Sequence, residues 1–278
     1  MGIKRRLFDI LVTGSINILG LNKANKLSCS LAGIFNPIYR IEHKGEKYFL
    51  NCPNDLVRWR AETYFTKEPE TIEWMETFKE GDILFDIGAN IGLYSIYAAK
   101  RGTRVIAFEP ESQNYAILNK NVYLNNLQDK IMCLNVALSN KDCLDYLYIP
   151  VFQTGSSINC FGKAINEKDE EFNPVFKQGA ISYTLDTFLS HHRDYFPDHI
   201  KIDVDGIEPK IIEGAMNTIK DKRLKSLSIE INESLPQHME LVKTIQTKGL
   251  SLYRKQHAVM FEGGKYQKTF NYLFVRKE

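Results

Sequence analysis

The stretch GDILFDIGANIG, from Gly81 to Gly92, limits the folds open to this chain more sharply than any other. Ile83 to Phe85 read as an apolar strand that runs into an acid, Asp86, and then breaks into a turn holding Gly88 and Gly92. LYSIYAAK follows, with Leu93, Ile96 and Tyr97 spaced to lay one helix face on a sheet. Seventeen residues beyond Gly92, a second strand, RVIAFEP, ends in Glu109. A strand, a glycine turn, a helix and an acid-tipped strand make the first half of a nucleotide-type α/β fold, with Glu109 placed to hold a ribose diol.

The same turn indicates which nucleotide to expect. A dinucleotide fold uses G-x-G-x-x-G so that the backbone can approach a pyrophosphate at a helix N-terminus. Here Asn90 stands where the second glycine would be, and an acid at the mouth, Asp86, is poorly matched to phosphate. An acid suits an ammonium or sulfonium group. That fits S-adenosylmethionine, with the glycines leaving room for its methionine part. The competing reading is a turn built for packing alone, and the cost of burying two unpaired carboxylates weighs against it.

The 278 residues are 44% hydrophobic with a net charge of +2, enough for a full core and without a broad basic field for nucleic acid. One large α/β domain over residues 66–278, behind an N-terminal extension over residues 1–65, is the expected organisation. Cys29, Cys52, Cys133, Cys143 and Cys160 include no C-x-x-C, so neither a disulfide framework nor a zinc site is indicated and a reducing cytoplasm is expected. Near the N-terminus, IKRRLFDILVTGSINILGL has a basic start and an apolar run, interrupted by Asp9 and Asn17, that is too short for a membrane span. It reads as a helix capping the domain or meeting a dimer partner, or as a basic amphipathic helix touching a membrane surface.

IYRIEHKGEKYFLNC alternates around Gly45 like a hairpin, and NDLVRWRAETYF and PETIEWMETF carry helical spacing. Arg58, Arg60, Tyr64 and Phe65 then either roof the ligand mouth or sit on ordinary helix faces. Downstream, Ser112 is expected to cap a helix running to Asn125, and Ile131 to Leu138 to form the third strand. LDYLYIP, SSINCF and AISYTLDTFL read as strand-like pieces around a charged loop, INEKDEEFNPVFKQG, expected as a flexible lid or a substrate-shaping insertion. HIKIDVDG and LKSLSIEIN are strands; EPKIIEGAMNTI, opened by Pro209, and LPQHMELVKTIQTKG, stopped by Gly249, are helices. SLYRKQ and FNYLFVRKE supply a final antiparallel hairpin at the sheet edge.

A strand inside a parallel sheet should be almost wholly apolar. IKIDVDGIE, from Ile200 to Glu208, breaks that rule with Lys201, Asp203 and Asp205. Either Lys201 and Asp203 form a structural ion pair while Asp205 turns the chain, or these groups serve a ligand at the strand's C-terminal tip, where open α/β sheets bind. His199 lies at the other end and is expected to be structural or solvated. His191 and His192, in a loop, stay open as bases.

Together, DIGANIGLYS, the FEP after the second strand, TLD at Thr184 to Asp186, and KIDVDGIEPKIIEGA resemble the FkbM family of S-adenosylmethionine-dependent methyltransferases over roughly residues 60–235. The resemblance implies a class I methyltransferase (Rossmann-like) α/β fold, with a mainly parallel seven-stranded sheet and helices on both faces. It also implies transfer to an oxygen, on acceptors that are often sugars or natural-product hydroxyls. Asp205 stands where the family is expected to carry glutamate, which shortens the acid's reach by one methylene.

Asp86, Gly88, Asn90 and Gly92 are therefore expected around the methionine part, Glu109 at the ribose, and Ala137 and Ser139 near adenine; Ala89, Tyr94, Ser95, Pro110 and Asp203 complete the cofactor set. Methylating an alcohol requires a base or a cation that stabilises alkoxide. Either Asp203 or Asp205 is the base, with Lys201 holding developing negative charge, or Asp203 joins Glu230 and Asn232 around a divalent metal such as Mg²⁺. Tyr183, Tyr195 and Phe196 are candidates to stack on a sugar ring. The expected acceptor is a sugar of a glycan, nucleotide-sugar or glycosylated natural product, not a nucleic acid. The rival classes are a nicotinamide-dependent oxidoreductase, which lacks its glycine pattern here, and a non-catalytic binding protein, which would not need acids at every strand tip.

Overall fold

A computed structural model describes residues 10, 13–14, 16–18, 20–166, 168–257, 262–264 and 266–276; the basic start with Lys4, Arg5 and Arg6, and Asp9, lie outside them. Helix α1 (Leu21–Ile34) precedes an antiparallel hairpin, β1 (Ile38–His43) and β2 (Glu46–Asn51), and two short helices, α2 (Asp55–Glu62) and α3 (Pro69–Met75). The alternating unit is β3 (Ile83–Ile87), α4 (Leu93–Lys100), β4 (Arg104–Phe108), α5 (Ser112–Leu124) and β5 (Ile131–Leu134). Next come β6 (Ala137–Leu138), β7 (Cys143–Ile149), β8 (Cys160–Phe161), β9 (Phe176–Tyr183) and α6 (Leu185–His191). The chain closes with β10 (His199–Ile202), α7 (Glu208–Glu213), α8 (Met216–Lys220), β11 (Ser226–Asn232), α9 (Pro236–Thr247), β12 (Leu250–Gln256) and β13 (Thr269–Arg276).

The main sheet has seven strands in the order β12-β13-β11-β10-β3-β4-β5. Strands β11, β10, β3, β4 and β5 are parallel, and β13 is antiparallel to both of its neighbours. This is the Rossmann-like sheet the resemblance implies, edge hairpin included. Strand order reverses between β3 and β10, and a crevice opens outside their C-terminal ends. Both faces are covered, so Leu84, Phe85, Val105, Ile106, Ile200, Ile202, Leu227 and Ile229 are all buried. One core lies on each face, and the core holding Leu84, Ile96 and Leu118 extends to Tyr48, Leu50, Val57 and Tyr64. The hairpin and α2 thus pack onto the same sheet.

The structure departs from the sequence reading in five places. Ile131 to Leu138 is not one strand: Asn135 turns the chain, its Nδ2 donating to Glu109 O and Pro110 O, both at 2.9 Å. Ala137 and Leu138 instead join a second sheet, ordered β6-β9-β7-β8. AISYTLDTFL is strand only as far as Tyr183; Thr184 Oγ1 then accepts from Thr187 N at 3.0 Å and caps α6. Glu111, not Ser112, caps α5, accepting from Gln113 N at 3.1 Å and Asn114 N at 2.8 Å, where a carboxylate also meets the positive end of the helix. EPKIIEGAMNTI divides into α7 and α8 at Gly214, where a Cβ would lie 2.2 Å from Ser139 O. The charged loop folds back on itself through an Ile165–Glu171 bridge, and its FKQG end is already β9.

Candidate active site

Three hollows of about 60, 280 and 50 Å³ open at the C-terminal ends of β3, β4 and β10, and all three have Gly88, Asn90 and Asp203 in their walls. The first is lined by Phe108, Glu109, Pro110, Ala137, Leu138 and Asn159. The second, the largest, is lined by Trp59, Arg60, Asp205, Glu230, Tyr266 and Phe270. The third lies beneath Arg60, Tyr64 and Lys67 and against Ala89, Tyr94 and Lys201.

The glycine turn is shaped by packing. At Gly88, with φ of 83°, a Cβ would lie 2.0 Å from Asp203 O. At Gly92, with φ of 87°, it would lie 2.4 Å from Leu118 Cδ1 on the next helix. The missing side chains are thus accounted for by packing, while the Gly88 backbone lines all three hollows and Gly92 lines none of them. Asn90 takes the left-handed conformation at φ of 50°, which asparagine tolerates, and its N–H donates to Glu109 Oε2 at 2.7 Å. Glu109 Oε1 accepts from Glu111 N at 2.9 Å, and burial pushes its carboxyl up to about 7.

Below the turn lies a buried ion network. Asp86 pairs with Lys201 in the parallel register of β3 and β10, is 1% exposed, and accepts from Ser95 Oγ at 2.6 Å. Its side chain therefore lies under the cleft and lines none of the hollows, which corrects its assignment to the mouth; burial raises its pKa. Lys201 Nζ donates to Asp203 Oδ2 at 2.9 Å and sits 4.7 Å from the centre of the Tyr94 ring. Burial disfavours the ammonium, but Asp203, Glu68 and Asp86 outweigh it and raise its pKa. Burial likewise works against Asp203, yet Lys201 and Lys67 hold that carboxyl down to about 2. Lys201 lines only the third hollow, so it does not face an oxygen acceptor in the second.

The acids of the second hollow behave differently. Carboxylate oxygens of Asp203, Asp205 and Glu230 lie within 4.8 Å of one another. Burial, then repulsion from Asp203, raises both Asp205 and Glu230. Asp205, at φ of 59°, is fixed by Ile158 N donating to Oδ2 at 2.8 Å. Behind it, Glu208 accepts from Gly206 N at 3.0 Å and from Val204 N at 3.4 Å, which clamps the turn; burial pushes its carboxyl up to about 8. Asn232 lines none of the three hollows, and its Oδ1 accepts from Ser234 N at 3.0 Å.

Of the remaining sequence candidates, Glu109, Pro110 and Ala137 line the first hollow, and Ala89 and Tyr94 the third. Ser95 is buried beneath Asp86, and Ser139 is spent on the second sheet, its N–H donating to Tyr183 O. Arg60 and Tyr64 do roof the cleft, whereas Arg58 pairs with Glu62 on the surface and Phe65 stacks on His43. His199 is structural, held between Ser226 Oγ at 2.7 Å and Asp82 Oδ2 at 3.0 Å. His191 and His192 line none of the three hollows; nor do Tyr183, Tyr195 and Phe196, and Phe196 lies under Arg223 instead. The aromatic wall of the second hollow comes from Trp59, Tyr266 and Phe270, the first too far from the other two in sequence to be read as their neighbour. Lys67, Glu68 and Asn159 were also missed.

An open α/β sheet with acid-tipped strands around one crevice defines a Rossmann-like domain of the nucleotide-binding kind. The methyltransferase FkbM domain matches residues 86–252, and the chain belongs to that family. It is 27% identical over 156 residues to methyltransferase sdnD of Sordaria araneosa, covering 47% of this chain and 59% of that protein. It is 39% identical over 61 residues to a tRNA (guanine(37)-N(1))-methyltransferase of Aedes aegypti, covering 22% of this chain and 11% of that one. Among solved structures, Aeropyrum pernix fibrillarin in complex with S-adenosyl-L-methionine superposes with a TM-score of 0.46 at 12% identity, covering 87% of this chain and 73% of that one. The chain thus matches less than two thirds of the length of these sequence relatives, 59% of the first and 11% of the second.

Proposed function

We propose that the protein transfers a methyl group from S-adenosylmethionine to a hydroxyl oxygen on a sugar-bearing acceptor. The observation that carries this reading is the meeting of three hollows at Gly88, Asn90 and Asp203, one edged by Glu109, one by cationic residues, and one both acidic and aromatic. The first fits adenosine: Asn159 Oδ1, in its wall, is buried without a hydrogen-bond partner among the described residues, an acceptor suited to adenine's amino group. Glu109 is placed for the ribose, and Arg60 and Lys67 for a carboxylate in the third. S-adenosylmethionine supplies, when bound, a methyl group on a sulfonium centre that leaves as a neutral sulfide.

In the second hollow, Trp59, Tyr266 and Phe270 supply aromatic wall for a sugar, and Asp205 is the base that takes the hydroxyl proton. A group raised towards neutral pH is better suited to that task than Asp203, which Lys201 holds ionised. Lys201 fixes Asp203 and the turn carrying Asp205. The oxygens of Asp203, Asp205 and Glu230 also form a set that suits Mg²⁺. Lys201 and Ile158 N already bind two of these acids, so activity is expected to survive excess EDTA; loss restored by Mg²⁺ would replace the base with a metal.

The test is incubation of purified protein and S-adenosylmethionine with nucleotide-sugars and free oligosaccharides, read by mass spectrometry. A methylated sugar together with S-adenosylhomocysteine is expected. Methylation of an RNA or of an amine in place of a sugar hydroxyl would overturn the acceptor class. Glu109→Ala should weaken binding of S-adenosylhomocysteine by about 1–3 kcal/mol in calorimetry. The ribose hydroxyls donate, so the ionised carboxyl is the better acceptor. Wild-type affinity should therefore fall as pH drops through about 7, and the slope should vanish in Glu109→Ala.

A further inference from the structure

Helix α1 has an apolar face that stays largely exposed among the described residues. Leu21, Ala24, Leu27 and Leu31 recur at helical spacing along one side. Ala24 is covered, but Leu21 is 60%, Leu27 42% and Leu31 40% exposed, and Phe35, just past the end, is 74% exposed. None of these leucines belongs to either core of the sheet domain. Lys23 and Lys26 are exposed, and the helix contains no acid. Charge is divided unevenly along the chain: residues 1–35 carry five Lys or Arg and one Asp, net +4, while the other 243 carry net −2.

We propose that α1 is an interfacial helix that docks the protein on an anionic lipid bilayer, its leucines entering the headgroup boundary and its lysines meeting lipid charge. Fourteen residues span about 21 Å as a helix, too short for a bilayer core of about 30 Å, so the helix lies in the surface plane. A second copy of the chain is the poorer occupant. An isologous contact through this face would bring two segments of net +4 together, whereas an anionic surface complements them. The inference stands on the helix and the charge of the N-terminal segment, and does not depend on which acceptor the cleft takes.

The test is co-sedimentation of the full chain with phosphatidylcholine vesicles, plain or containing about 30% phosphatidylglycerol. Binding to the anionic vesicles is expected, at least about tenfold stronger than to the plain ones and weakened at about 0.5 M salt. Leu27→Asp with Leu31→Asp, and separately Lys23→Glu with Lys26→Glu, should each reduce it about tenfold or more. Circular dichroism and thermal unfolding should match wild type, because these side chains lie outside both cores. The proposal is overturned if anionic vesicles are not preferred, if both pairs of substitutions leave binding intact, or if light scattering shows a dimer that the leucine pair splits while no vesicle binding is seen.

Discussion

Lys201→Met is expected to lower the unfolding free energy by about 3–5 kcal/mol at neutral pH, the range for removing one partner of a buried ion pair. Lys201 is the cation shared by Asp203, Asp86 and Glu68, and its side chain is only 4% exposed. Methionine fills much the same volume, so the loss measures charge and not a cavity. The pH dependence separates the two. In the wild type, Asp203 titrates at about 2, below its unfolded value, so its contribution is present above about pH 4 and is lost only as pH falls through 2. Without Lys201, the clustered carboxyls are raised above their unfolded values in the folded state. They then favour folding when protonated and oppose it as pH rises. The variant's deficit should therefore shrink from pH 8 to about pH 4 in urea unfolding. A deficit that stays flat over that interval, or one under about 1 kcal/mol, would remove the network from the account.

The central sheet was legible because strands covered on both faces are written as short apolar runs, and an acid at the tip of such a run, as at Glu109, is conspicuous. Position along a strand was harder to read. Asp86 and Lys201 occupy paired positions in β3 and β10, so both side chains lie beneath the turn, and only the register reveals that the lysine's charge acts on the acid. The sequence did carry a clue: a lysine inside a buried strand needs carboxylates beside it. The two glycines were found, but their cause was not, because Asp203 O and Leu118 belong to elements far along the chain. Distance in sequence also hid the second hollow, where Trp59 and Arg60 meet Tyr266 and Phe270 through the order of the sheet. The small second sheet was half visible. The alternation in β7 and β9 showed, but its β6 strand was masked by continuity with β5.

Asp205→Asn is expected to lower kcat by about 10²–10⁴-fold while leaving S-adenosylhomocysteine affinity nearly unchanged. The substitution is conservative in shape. Asparagine can still accept from Ile158 N, and it tolerates the left-handed backbone at φ of 59°. What it loses is a carboxylate able to take a proton. In the wild type, burial and the neighbouring Asp203 raise the Asp205 pKa, so kcat/KM should climb with pH as that carboxyl ionises. The variant should show no such limb. Asp203→Asn should behave differently, because it strips Lys201 of its nearest carboxylate and disturbs stability together with activity. Glu230→Gln is the decisive companion, since Glu230 shares the same hollow and is raised for the same reasons. If Glu230→Gln abolishes the acid limb while Asp205→Asn retains it, the proton leaves through Glu230, and Asp205 serves only to turn the chain.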